Sequence, residues 1–469
     1  MGAQCVGDGV YLGSNEARCD AAHKSQRYFG YGASGGGSRL APTSLHMRAP
    51  RLLYLTSAFP YGRSDTFFGP EARELVRQGV ELRVIPMRPR GSLTVADAKP
   101  WTVRKPLLDL AIAGSALMET VRAPAAVLSA FRLLLRQPKP KVLVRNLAGF
   151  PKALWIAREA KRWGADHIHA HWAGPPSTAA LVASRVSGVP WSFTAHFADI
   201  AANNLLEEKS ASATFCRFIA RSMMELARQT APNCDESGWV LLHLGVDLSE
   251  TYRAPGELNS PAVLLTAARF DVEKRHRTLV EATRTLVEEG FDVQVWLAGA
   301  GPLKADVQRQ VQDLGLEHVI RFLGFVLPDQ LLEWLSTGLV DLVVLPSDAE
   351  GIPVSLMEAL AHGVPAVACD AGGVTELLGE GCGEVVPPGD ADALAVAIAE
   401  LLHSPERRAS LAQRGRERLE REFAVEPLVE EMRRLLGFAA DTYAADGHAV
   451  ASSAHPAAAR QADSSATGL

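Results

Sequence analysis

Apolar positions fall into short, nearly continuous runs separated by longer segments of helical spacing. Runs at 52–56, 81–86, 191–194, 293–298, 320–323 and 340–345 are rich in Leu, Val and Ile and bounded by Gly, Pro or polar turns, which predicts strands buried on both faces. Helices are predicted between them, one ending at Gly79, one over 179–186, one following Arg221, and others starting near Ala391, Pro405 and Pro427. Strands alternating with helices imply parallel, doubly wound α/β sheets. A chain of 469 residues exceeds the size at which one core stops growing, so two domains are expected. The Pro- and Gly-bearing stretch 253–261 reads as the linker between a domain over 49–252 and one over 262–422. Residues 1–48 and 439–469 are rich in Gly, Ala and Ser without period and are expected to be disordered, with Met47 a candidate translation start.

Composition narrows the class. Hydrophobic residues make up 47% and charged residues 22%, as in a soluble globular protein, and a net charge of -5 argues against bulk nucleic-acid binding. Six scattered cysteines without a C-x-x-C motif suit reduced thiols of a cytoplasmic protein. The start lacks secretory character, and no apolar run reaches the roughly 18 residues of a membrane span. One region departs from the average: 121–162 holds ten Lys or Arg against Glu159 alone, interleaved with Leu, Phe and Trp. That pattern suits a helix pair lying peripherally on an anionic inner membrane face, at about 1 kcal/mol per basic residue near the surface. A solvated basic face over an ordinary core fits the same residues.

Candidate chemistry concentrates between Val340 and Leu378, which reads as strand, loop, helix, strand. Ligands of open parallel sheets bind outside the carboxyl ends of the strands, which places Ser347, Glu350 and the amides of Gly351, Ile352 and Val354 at a substrate position. Glu358 lies about two turns into the helix, so the two carboxylates can face one crevice at different depths and accept from hydroxyls. Spacing alone favours the reading of two solvated helix-terminal acids. Arg269, after a strand, and Lys274, before a helix, are the fixed cations that a diphosphate needs. His196 follows the strand 191–194 at its carboxyl end. His169 and His171 are expected to point to opposite faces of their strand in structural roles, and His276 to be a surface residue. The turn Gly299-Ala300-Gly301-Pro302 is a weak dinucleotide fingerprint that lets backbone approach a ligand or a neighbouring strand. With no Asp-x-Asp pair following a strand, no metal is expected.

Glu350-Gly351-Ile352-Pro353, Glu358-Ala359, Gly363-Val364-Pro365 and Gly372-Gly373-x-x-Glu376, in that order, resemble the retaining glycosyltransferases of family 4, over roughly residues 51–438. The resemblance implies the GT-B fold, two Rossmann-like doubly wound domains facing across a cleft, with a helix over 423–438 crossing back to the first. It implies a nucleoside diphosphate sugar donor, UDP- or GDP-linked, a saccharide or lipid-linked acceptor, no cofactor or metal, and a part in cell-surface polysaccharide synthesis. Arg269 and Lys274 would hold the diphosphate, Glu350 the donor-sugar hydroxyls, and Glu358 the ribose. Gly324 and Val326 would meet the base, and Gly351, Ile352, Pro353, Val354, Gly373 and Glu376 the sugar and phosphate. His196 would face the reacting carbon. In place of a common Gly-Gly loop stands Ser64-Asp65-Thr66-Phe67, with Glu71 following, which resembles the exopolysaccharide and colanic-acid subgroup. Ser64, Thr66, Glu71 and Asp199 are thereby assigned to the acceptor side. A GT-B nucleotide-sugar epimerase and a non-catalytic nucleotide-sugar-binding protein are the alternatives.

Overall fold

The computed structural model describes residues 48–62, 66–248 and 252–438. The terminal segments read as disordered, and Ser64, lie outside them, as does the side chain of Thr66. Among the described residues, twelve strands form two parallel six-stranded sheets. The first holds β1 (Arg51–Thr56), β2 (Glu81–Pro86), β3 (His167–His171), β4 (Trp191–Ala195), β5 (Cys216–Phe218) and β6 (Trp239–Leu241), in spatial order β2-β1-β3-β4-β5-β6. The second holds β7 (Ala262–Ala267), β8 (Val293–Ala298), β9 (Ile320–Gly324), β10 (Leu342–Leu345), β11 (Ala366–Cys369) and β12 (Glu384–Val386), in order β12-β11-β10-β7-β8-β9.

Strand order reverses between β1 and β3 in the first sheet and between β7 and β10 in the second. Loops leaving neighbouring strands part at such a switch point and open a crevice. Both crevices are built from the loops that carry the candidate residues.

The closing helix Val425–Leu435 joins the first sheet's core: Val425, Val429 and Met432 are buried beside Leu52, Tyr54 and Phe68. Its entry is fixed by backbone bonds from Val246 N to Phe423 O (2.9 Å) and from Val425 N to Val246 O (3.2 Å). Gly245 permits that approach, since a Cβ there would sit 2.6 Å from Val425 Cα. The helix begins two residues before the expected Pro427.

The basic segment is not one helix pair. It spans the end of Leu110–Arg122, all of Pro124–Leu134 and most of Pro140–Trp163. Lys152 is fully buried, its Nζ donating to the carbonyls of Pro86, Met87 and Lys105, and Lys161 pairs with Glu119 at 3.1 Å. Arg122, Arg132, Arg136, Lys141 and Arg145 are exposed. Nine of the fifteen exposed large apolar side chains among the described residues lie between Leu108 and Val144, so the outward face is apolar as well as basic. Among the described residues no single helix is long and apolar enough to cross a membrane.

Candidate functional site

At the second sheet's switch point, the segment after β7 and the loop after β10 are stitched together. Lys274 Nζ lies 2.6 Å from Glu350 Oε1, Arg275 Nε lies 2.5 Å from Asp348 Oδ2, and Asp348 N donates to Glu273 O at 2.9 Å. Arg269 reaches Asp271 at 2.8 Å and remains 66% exposed at the mouth. Glu350 is buried, as is Ser347, whose hydroxyl has no partner. Pro353 precedes the helix Val354–Ala361, which begins without a side-chain cap. Its first turn is closed by backbone alone, Leu356 N donating to Pro353 O at 3.1 Å, which leaves the end of the helix facing the crevice electropositive.

Gly372 and Gly373 lie directly against this loop. A Cβ on Gly372 (φ +55°) would meet Glu350 O at 1.9 Å, and one on Gly373 would meet Gly351 O at 2.1 Å. The pair lets the chain pack against the backbone that presents Glu350. Glu358 lies on the helix below, and burial alone pushes its carboxyl up to about 7. Gly324 (φ +71°) ends β9, its carbonyl accepting from Gly299 N at 2.7 Å, with Val326 just beyond. The Gly299 and Gly301 turn faces neighbouring backbone: added Cβ atoms would strike Ala268 O and Phe270 O. His276 is buried rather than on the surface, stacked on Phe270 with ring centroids 4.1 Å apart, and burial lowers its pKa to about 4.

An Asp-x-Asp pair does follow a strand. Asp390 and Asp392 come after β12, a short strand that the apolar pattern does not predict, and Asp390 caps the helix Ala391–His403 by accepting from Ala393 N at 2.9 Å.

The facing crevice belongs to the first sheet. His196 follows β4 at the start of helix Phe197–Ala202, its backbone N–H donating to Asp199 Oδ1 at 2.9 Å. Asp199 also accepts from Ala173 N, and burial pushes its carboxyl up to about 7. Lys209, whose ammonium donates to Ala173 O (2.6 Å) and Gly174 O (3.2 Å), is lowered by burial to about 7. The rings of Phe67 and Trp172 pack on His196, with centroids at 5.9 and 4.2 Å. Trp172 holds φ at 101°, a costly conformation for a bulky residue, and its indole N–H is buried without a partner.

His169 and His171 do not face opposite sides. Side chains two apart on a strand share a face, and with His167 they form one ladder along β3. His167 and His169 bond Ser192, and His169 also bonds Thr194. His171 bonds Tyr54 and His196. Glu71, assigned to the acceptor side, is 4% exposed and ion-paired with buried Arg217 at 2.6 Å, so it lies beneath this crevice. Tyr54 and Arg217 are not singled out by the sequence reading. Arg217 does carry a signal, a charge in the middle of the apolar run Phe215 to Ala220.

The two crevices meet across the cleft. A Cβ on Gly351 would touch Ile219 Cδ1 at 3.0 Å. Glu376, expected at the phosphate or sugar end, places its carboxylate on the backbone N–H groups of Arg221 (3.0 Å) and Ser222 (3.2 Å), at the start of helix Arg221–Thr230. An acid is favourable there because the helix N-terminus is electropositive.

Residues 249–418 match the family model of glycosyl transferases group 1. The chain is 28% identical to the amylovoran biosynthesis glycosyltransferase AmsK of Erwinia amylovora, over 51% of this chain and 63% of the relative. It is 30% identical to the putative colanic acid biosynthesis glycosyltransferase WcaL of Escherichia coli K12, over 43% and 52% respectively. The matched part is thus about half to three-fifths of each relative's length. Among solved structures it resembles HepE of Anabaena in complex with UDP and glucose, with a TM-score of 0.61 at 17% identity, covering 82% of this chain and 99% of that one. The fold is GT-B.

Proposed function

Taking as premise that the chain carries a glycosyltransferase group 1 domain, we propose that it transfers a sugar from a nucleoside diphosphate sugar to a saccharide or lipid-linked acceptor in the synthesis of a cell-surface polysaccharide, with retained configuration. The observation that carries this reading is the cation and carboxylate cluster at the β7 and β10 switch point, where Lys274 and Glu350 are 2.6 Å apart beside exposed Arg269. In the transition state the diphosphate takes up charge as the sugar leaves. Cations already held in place to face that charge lower the barrier more than any other single effect in such a reaction. Arg269 turns from Asp271 to fork onto phosphate oxygens, and Lys274 adds a point charge. Glu350, oriented by Lys274, accepts from hydroxyls of the transferred sugar, and Glu358, deeper on the helix, meets the ribose.

Acceptor access comes from the first sheet, where Phe67, Trp172 and His196 wall the crevice. The exposed apolar and basic face between Leu108 and Arg145 supports a peripheral position on the inner, anionic leaflet, with the protein cytoplasmic and close to a lipid-linked acceptor. The names of the relatives AmsK and WcaL, both polysaccharide biosynthesis glycosyltransferases, support the pathway class. Donor hydrolysis measured across UDP- and GDP-sugars, then with lipid-linked saccharides added, tests the reading. The expected result is slow hydrolysis of one donor, accelerated transfer with acceptor, and an axial or equatorial anomeric bond matching the donor's by NMR. Turnover of donor into an epimer without acceptor, or binding without turnover, would overturn it.

A further inference from the structure

Five side chains form an unbroken buried line from the first sheet's core to His196. Arg217 Nη1 pairs with Glu71 Oε2 at 2.6 Å, and Tyr54 OH donates to Glu71 Oε1 at 2.8 Å. The Tyr54 oxygen lies 2.9 Å from His171 Nδ1, and His171 Nε2 lies 3.0 Å from His196 Nε2. All five are under a tenth exposed.

Proton counting fixes the direction of every bond. The Glu71 carboxylate, paired with a guanidinium, can only accept, so the single hydroxyl proton of Tyr54 is used there. Tyr54 oxygen then faces His171 as an acceptor, which requires a proton on His171 Nδ1. Burial holds the pKa values of both His171 and His196 well below the usual histidine range, with the Arg217 charge adding to the effect and, for His196, the neighbouring His171 as well. Each neutral ring has one N–H. His171 Nε2 is therefore bare, and His196 must donate to it from Nε2. Nδ1 of His196 is then bare too, and among the described residues the ring's one side-chain hydrogen bond is the one to His171.

We propose that Glu71, Tyr54 and His171 are positioning residues that lock His196 as the Nε2–H tautomer, through a chain of hydrogen bonds all pointing from the crevice toward Glu71. The one ring proton of His196 is thereby committed to His171. His196 serves the crevice as an oriented wall and not as an acid. The groups facing it, His171, Asp199, Trp172, Phe67 and, one step removed, Glu71 and Arg217, leave its ring a single proton at neutral pH, the Nε2–H held by His171. The kinetic consequence rests on the transfer reading above; the tautomer itself does not.

The test is nitrogen-15 NMR of the ring nitrogens in the free, full-length protein labelled at histidine, with His196→Gln and His171→Gln difference spectra assigning two of the 13 histidines. Expected is a protonated Nε2 on His196, a protonated Nδ1 on His171, and no titration of either between pH 5 and 8. Tyr54→Phe removes the acceptor of His171 Nδ1–H, so both rings should switch: His171 to Nε2–H and His196 to Nδ1–H. Thr194→Val, which cuts only the bond to His169 on the same face, should leave both signals in place. In transfer assays Tyr54→Phe should lower kcat roughly tenfold, the scale of one misaligned hydrogen bond, with donor KM within about twofold. A wild-type His196 protonated at Nδ1, or titrating between pH 5 and 8, would overturn the proposal even if Tyr54→Phe failed to fold. Unchanged tautomers in a folded Tyr54→Phe protein would also overturn it. Absence of transfer with every donor would count against the functional reading and leave the spectroscopic result standing.

Discussion

Lys274 and Glu350 stand 2.6 Å apart although they come from loops on different strands, 76 residues distant in the chain. The pair joins the residue proposed to meet the diphosphate to the one proposed to meet the sugar, so each holds the other in the absence of substrate. Removing one partner leaves the other partly buried and unpaired, which costs more than the pair itself contributes.

Glu350→Gln is accordingly expected to lower kcat by roughly a hundredfold or more, because its contact is with the group whose charge and shape change in the transition state. Glu358→Gln should mainly raise donor KM, by about tenfold, since the ribose does not react. Steady-state kinetics on both folded variants check the assignment, and the opposite pattern would mean that the two roles are exchanged.

Stability should carry a pH signature of Glu358. Its folded pKa near 7 exceeds the unfolded value, so the folded state holds the extra proton and stability attributable to this residue falls as pH rises from about 4.5 to 7. Asp199, raised to about 7, adds a fall of the same sign, and Lys209, lowered to about 7, adds a rise only above that pH. Denaturant midpoints of Glu358→Gln minus wild type isolate the contribution of this one carboxyl: the difference should grow in favour of the variant between pH 5 and 7.5, and a flat difference would contradict it.

Gly373→Ala tests the support beneath the Glu350 loop. With a Cβ directed to within 2.1 Å of Gly351 O, the loop must move, and a loss of about 1–3 kcal/mol in stability is expected. Displacing Glu350 should also reduce kcat by more than tenfold. Wild-type kinetics in a destabilised variant would show that the loop geometry is not limiting.

Anionic vesicles should bind the protein, and binding should weaken steeply with salt. Arg132→Glu with Arg136→Glu should abolish it, and Leu117→Ser with Val121→Ser should weaken it independently of salt, since those apolar side chains are 68% and 73% exposed. Equal binding to neutral vesicles would remove the electrostatic part of the argument.

Chelator should leave transfer intact, because Arg269, Lys274 and helix N-termini are proposed to meet the diphosphate charge. Activity lost with chelator and restored by Mn or Mg would require a metal site, and Asp390 and Asp392 would be the first residues to replace.

The parallel strands are legible in the sequence because each is a compact apolar run closed by Gly, Pro or a polar turn, and β2 and β8 match the boundaries read that way. Glu350 and Glu358 are legible from motif order. The line from Arg217 to His196 is not. It depends on β1, β3, β4 and β5 being neighbours, an order that no local pattern encodes. The expectation of opposite faces for the β3 histidines fails for a simpler reason, since a period of two puts His167, His169 and His171 together. Motif order makes Glu376 a ligand group because it lies beside Gly373; that its carboxylate reaches the opposite domain follows only from the way the two sheets face each other.

The return of the helix Val425–Leu435 to the first sheet ties the second half of the chain back to the first by packing as well as by the linker. A protease cutting between Arg253 and Glu257 would sever the linker, yet the carboxyl-terminal fragment would still carry Val425, Val429 and Met432 into the core of the other half. The two pieces should migrate together on a sizing column and part only in denaturant, and the halves expressed separately should reassemble as a split protein. The helix would then act as the tether that the cut linker no longer provides.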